Sequence, residues 1–180
     1  MPEPRIAGAS STKYGKHTES SSRELFSEAM ADVYGNTEIQ PDDVEAVYFG
    51  NFMGDLIEDQ GHMGAMMADY AGVPDAASSR VESACVSGGV AFRDAYHAVK
   101  AGIHDVVVVG GTEIMYGVGT EAITDALANA ADNEYENRLG LTFPGIYALV
   151  ARSYMDEFGL TREELAEIAV KNRKNGSKNP

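Results

Sequence analysis

The sequence predicts an α/β layered fold with elements in the order β-α-β-α-β-α-β. Three observations carry this reading. Val106-Val107-Val108-Val109 is a run of four β-branched residues, which suits a strand buried on both faces, as in a parallel sheet. Several stretches repeat their apolar residues at helical spacing. The strand-like and helix-like stretches alternate, as they do when helices are layered on a sheet.

In chain order, Arg5 to Ser10 reads as a first short strand. Ser21 to Glu24 has capping-box form, with Glu three residues after Ser. Leu25, Phe26, Ala29, Met30, Val33 and Tyr34 then follow at helical spacing, and Gly35 closes the segment. Val44 to Phe49 reads as a strand and Gly61 to Tyr70 as a helix whose Met63, Met66 and Met67 suit core filling. A β-like segment leads into Cys85, and a helix from Val90 to Ala101 leads out of it. There Ala91, Ala95, Ala98 and Val99 form a small apolar face opposite Arg93, His97, Lys100 and His104. Gly102 ends it, before the valine strand. From Tyr116 to Phe143 the pattern weakens into an irregular excursion rich in Gly, Asn, Asp and Glu. Ile146 to Phe158 returns to helix and Gly159 breaks it. Thr161 to Glu164 is a second capping box, followed by Leu165, Ile168 and Ala169 on one face. A basic tail, Lys171 to Lys178, is expected to be solvated. It is also able to reach anionic phosphates. Two domains are expected, 1–115 and 116–180.

The 180 residues suit one domain or one and a half, and a hydrophobic fraction of 44% allows a useful core. No apolar run reaches membrane-spanning length, and the opening Met1-Pro2-Glu3-Pro4-Arg5 is unlike a signal peptide. One cysteine excludes an internal disulfide framework and a multi-cysteine zinc site, so no metal and a cytoplasmic location are expected. The net charge is −14, and from Glu24 to Ser79 there are twelve acidic residues and no Lys or Arg. Such a surface repels nucleic acid and anionic membranes, and neither is an expected partner. It also suits a high-salt cytoplasm, where screening removes self-repulsion, and so predicts a halophilic source.

The one cysteine sits in Ser79-Arg80-Val81-Glu82-Ser83-Ala84-Cys85-Val86-Ser87-Gly88-Gly89-Val90. This places Cys85 on a strand-to-helix turn near the amino end of a helix, where unpaired backbone N–H groups favour a thiolate. Gly88 and Gly89 allow substrate or a neighbouring segment to approach closely. A lone cysteine is ordinarily inert packing. The residues alone leave protease, acyltransferase and redox protein open.

Four segments together resemble the amino-terminal part of a thiolase, of the archaeal and sterol-carrier-type branch. They are the opening strand with Ser11-Thr12-Lys13-Tyr14-Gly15, the run Val81 to Gly89 around Cys85, Val106 to Glu113, and Phe143 to Pro180. The cysteine run alone would also fit ketoacyl synthases and HMG-CoA synthase.

The resemblance implies an acyl-CoA acyltransferase, acetyl-CoA C-acetyltransferase or 3-oxoacyl-CoA thiolase, working through an acyl-cysteine at Cys85 in lipid metabolism. No cofactor is implied beyond the coenzyme A thioester as substrate. The backbone N–H of Cys85 would help hold the thioester oxygen, and Gly88 and Gly89 would open space beside the acyl group. Gly110, Gly111 and Glu113 are expected to shape the fold. The excursion after Glu113 corresponds to a CoA-covering loop domain, with Phe143, Pro144 and Gly145 lining the pantetheine arm. Bacterial members carry His and Met where Phe143 and Pro144 stand, so contacts specific to those side chains do not carry over.

The family's second half supplies a catalytic histidine, an α-proton base and a further oxyanion contributor. His17, His62, His97 and His104 match none of these, and His62 suits a surface or capping role. The chain therefore reads as incomplete: a fragment, a truncated product or half of a split enzyme. Expected partners are acyl-CoA or CoA, further copies in a homodimer or tetramer, a second-half polypeptide, and an HMG-CoA synthase with its scaffold protein. The alternative functions are a non-catalytic assembly subunit that pairs through the strand leading to the cysteine, about Ser79 to Ala84, and a related condensing enzyme similar to HMG-CoA synthase or a ketoacyl synthase.

Overall fold

The computed structural model describes residues 3–179. Contacts divide the chain into two units, the first ending at Gly119 and the second beginning at Thr120. Met1, Pro2 and Pro180, the last of the closing Lys-Asn-Pro, lie outside the described residues.

The first unit runs α1 (Ser22–Asn36), β1 (Ala46–Gly50), α2 (Gly54–Ile57), α3 (Met63–Tyr70), β2 (Ala77–Val81), α4 (Ser87–Lys100) and β3 (Val107–Gly111). The strands form a parallel sheet in the order β2-β1-β3, with Gly50 opposite Val81 on one side and Gly111 on the other. Alternation along a strand sends Val47 and Phe49 to one face and Ala46 and Gly50 to the other. All four are buried, because β1 is central and covered on both faces.

On the Val47–Phe49 face the cluster includes Phe26 and Met30 of α1 and Met63, Met67 and Ala68 of α3. Phe26 meets Phe49 edge-on at 5.2 Å between ring centroids. Met63 and Met67 are fully buried, as expected of core filling. Each such side chain contributes about 1.5–3 kcal/mol by leaving water. The other face meets α4, whose Ala91, Ala95 and Ala98 form its buried stripe. These small residues let helix and sheet come close. A Cβ placed on Gly50 would lie 2.7 Å from both Cα and N of Gly88, so β1 and the first turn of α4 are in backbone contact.

Ser21 starts α1 as the capping box predicts: its Oγ accepts from the Glu24 N–H, and Glu24 Oε2 accepts from the Ser21 N–H at 2.7 Å. Thr161 and Glu164 repeat this at the helix that begins at Arg162. The second unit holds α5 (Thr120–Ala128), α6 (Phe143–Phe158) and α7 (Arg162–Gly176). Gly159 ends α6 at φ 70°, where a side chain would be strained.

Several expected boundaries move. Residues 5–10 form no strand and are exposed, because no described segment runs beside them to complete a hydrogen-bonded ladder. The strand count in the expected β-α-β-α-β-α-β order is thereby corrected to three among the described residues. Helix α4 begins at Ser87 rather than Val90, because the backbone of Ser87 and Gly88 packs on Gly50 of β1, which outweighs the poor helix propensity of glycine. The stretch from Tyr116 to Phe143 is not irregular throughout, since it contains α5. Helix α6 starts at Phe143, where the Thr142 hydroxyl accepts from the Gly145 N–H and Pro144 needs no donor. Lys171, Arg173 and Lys174 are exposed, as expected of a solvated basic segment, and lie on α7.

Candidate functional site

Cys85 lies in a single 3₁₀ turn, Ala84–Val86, between β2 and α4. Its thiol is free and exposed. The turn is tightly tied. Ser87 Oγ accepts from the Ser83 N–H at 2.9 Å and donates to the Ala84 carbonyl at 2.7 Å. Glu82 Oε1 accepts from the Ala84 N–H at 2.6 Å, and the Val86 N–H donates to the Ser83 carbonyl at 3.0 Å. Ala84 stands at φ 45°, in the left-handed region that L-residues rarely occupy. This strained residue stands directly before Cys85, and such backbone strain is often found at functional turns.

Gly88 and Gly89 lie in the first turn of α4, directly after this turn. A Cβ on Gly88 would meet nothing within 4 Å, so the space beside it is open, whereas one on Gly89 would come to 3.1 Å from Val86 Cγ2. The neighbouring segment that approaches is β1, and its demand for glycine falls on Gly50. Phe143, Pro144 and Gly145 form the first turn of α6 in the second unit, with Phe143 and Tyr147 ring centroids 6.4 Å apart. The structure thus places Cys85, Gly88 and Gly89 on two successive turns of the first unit. The other three form a separate group in the second.

A second network crosses the carboxyl ends of the strands. Glu113 Oε1 accepts from the Met53 N–H at 2.8 Å and from Asn51 Nδ2 at 3.0 Å, and Oε2 accepts from the Phe52 N–H at 2.9 Å. Arg80, on the strand that leads to Cys85, donates to the carbonyls of Asn51 and Phe52 and pairs with Asp55. The Arg80 guanidinium holds the Asp55 carboxyl below its ordinary range by hydrogen bonding. Glu113 is therefore a framework residue. So are Gly110, beside the Phe26 ring, and Gly111, beside the Gly50 carbonyl.

The histidines have other settings. His17 bonds the Lys13 carbonyl, His104 lies 3.4 Å from Glu45, and His97 packs on Tyr96. His62 occupies the capping position of α3 at φ 56°, without a side-chain cap bond. Among the described residues, no group of three His, Cys, Asp or Glu is arranged to hold a metal ion.

Ser87, Asn51 and Arg80 were not singled out by the sequence. For Ser87 a local signal exists, a serine at the first helical position four residues after Ser83. For Asn51 and Arg80 there is none, since their partners come from distant strand ends.

A parallel α/β layer with an exposed cysteine on a strand-to-helix elbow defines the class: an α/β domain that presents a free thiol at its surface. The family model for the amino-terminal domain of thiolase matches residues 5–180, and the chain belongs to the thiolase family. It is 40% identical over 180 residues to an acetyl-CoA acetyltransferase of Methanothermobacter thermautotrophicus, covering 100% of this chain and 46% of that protein. It is 41% identical over 179 residues to an acetyl-CoA acetyltransferase of Methanocaldococcus jannaschii, covering 99% of this chain and 45% of that protein. Benzoylsuccinyl-CoA thiolase subunit BbsB of Thauera aromatica is 31% identical over 180 residues, covering 97% of this chain and 44% of that protein. The chain spans less than half the length of these relatives.

Proposed function

We propose that this chain is the nucleophile-bearing part of an acyl-CoA acyltransferase, with acetyl-CoA as the acyl donor. The observation that carries this is the exposed Cys85 on its strained elbow, in a chain 40% identical to an acetyl-CoA acetyltransferase. The Cys85 sulfur attacks the thioester carbonyl. A new carbon–sulfur bond forms as the bond to the CoA sulfur breaks, and the thiol proton ends on the departing CoA. The acyl group stays activated as a thioester. In condensation, a second acyl-CoA loses its α-proton and attacks this acyl-cysteine. The product is a 3-oxoacyl-CoA, and the released sulfur regains a proton. Thiolysis is the reverse.

Within this reading the Cys85 N–H steadies the developing oxyanion, and the open side of Gly88 leaves room for the acyl group. Phe143, Pro144 and Gly145 contact the pantetheine arm. The histidine and α-proton base come from a further segment or polypeptide, and no cofactor takes part. Homodimers or tetramers, an HMG-CoA synthase and its scaffold protein belong to the same reading, as do a role in lipid metabolism and a halophilic, cytoplasmic setting. No helix among the described residues is long and apolar enough to cross a membrane.

The test is labelling of Cys85 with iodoacetamide at neutral pH, with and without acetyl-CoA. Labelling of the folded chain that acetyl-CoA suppresses supports acyl transfer. A thiol that reacts only after unfolding contradicts it and favours an assembly subunit.

A further inference from the structure

We propose that Ser87 is a positioning residue that sets the direction of Cys85. This rests on the reading of Cys85 as the nucleophile. Ser87 is only 4% exposed and is one of three buried polar or charged residues among those described. Its single hydroxyl uses both of its capacities on the turn. It accepts from the Ser83 N–H, two residues before Cys85, and donates to the carbonyl of Ala84, directly before it.

Ala84 is the residue that needs holding. At φ 45° it occupies a conformation from which an alanine tends to relax. Relaxation there would swing the next residue, which is Cys85. The anchor for the hydroxyl is firm, because the backbone of Ser87 and Gly88 is pressed against Gly50 of the central strand. A Cβ on Gly50 would be 2.9 Å from the Ser87 carbonyl carbon. The Glu82 carboxylate also bonds the turn, but from an exposed side chain. Ser87 therefore carries the position of the sheet into the turn without itself touching the reacting atoms.

Three variants test this: Ser87→Ala, Ala84→Gly and the two combined. Cys85 is the one cysteine, so alkylation by iodoacetamide reports on it alone. Without the hydroxyl the turn is free to carry the thiol off the amino end of α4. Alkylation of the folded Ser87→Ala chain should then slow by about fivefold. Glycine holds a left-handed conformation without penalty. The double variant should therefore return to within about twofold of the parent, and Ala84→Gly alone should stay there.

Rescue at residue 84 is a readout that a merely structural serine would not give. A Ser87→Ala rate within twofold of the parent or faster, or a double variant as slow as Ser87→Ala, overturns the proposal. Hydrogen exchange on the parent chain keeps the test independent of variant folding. The Ser83 amide should be protected by at least about tenfold over an unstructured peptide, and an unprotected amide overturns the proposal. Failure of acetyl transfer in the parent would remove the nucleophile reading, but the alkylation and exchange comparisons would still decide the role of Ser87.

Discussion

Asn51 and Glu113 are joined across the carboxyl ends of β1 and β3, the Asn51 side-chain amide donating to the Glu113 carboxylate at 3.0 Å. The same carboxylate takes the N–H groups of Phe52 and Met53, so one side chain closes the turn after the central strand. Bonds to a charged acceptor contribute about 1.5–3 kcal/mol, and Glu113→Ala should lower stability by about that amount. Glu113→Gln, which keeps one acceptor oxygen, should fall between. Urea unfolding followed by circular dichroism checks both.

Gly50 and Gly35 separate two reasons for a glycine. Alanine at Gly50 would drive a methyl into the Gly88 backbone, and nothing flexible is there to yield. Gly50→Ala should cost about 1–3 kcal/mol and loosen α4 from the sheet. Gly35 lies in α1 with nothing within 4 Å of its Cβ position, so Gly35→Ala should stabilise by about 0.5–1 kcal/mol. Paired thermal melts give both signs.

The Arg80–Asp55 pair sets a pH dependence with a definite sign. The folded-state carboxyl of Asp55 is held low, chiefly by its hydrogen bond to Arg80. Its contribution is therefore present above the ordinary carboxylate range and is lost as pH falls through the lowered folded value. The pair is partly exposed, so the effect is small. The stability difference between the parent and Asp55→Asn should be constant near neutrality and shrink in acid. A difference that grew in acid would contradict the assignment.

Twelve acidic residues without a basic one between Glu24 and Ser79 should make the folded state salt-dependent. The melting temperature should rise steadily with KCl from low to molar concentration. No change over that range would refute a halophilic adaptation.

Some of this was legible in the sequence, because local chemistry decides it. The valine run marked β3, Ser21 and Thr161 marked two helix starts, and small residues around Cys85 marked the elbow. What was missed depends on distant partners. Residues 5–10 have strand character, but a strand exists only where another runs beside it. The first turn of α4 looks too glycine-rich to be helical until Gly50 is brought against it. The Asn51–Arg80–Glu113 network appears only once the strand ends converge, whereas the Ser87 clamp is local and its signal, a serine four residues after Ser83, was there to be read. Even so, the place of Cys85 on the strand-to-helix elbow was legible, because the small residues around it are local in the sequence.

The most direct test of the central claim is the intact mass of the chain after incubation with acetyl-CoA in high salt, beside Cys85→Ala. Acyl transfer to the elbow thiol predicts one acetyl adduct on the parent and none on the variant. A folded parent that gains no acetyl group, or a variant that gains it equally, would contradict Cys85 as the acyl acceptor of this chain.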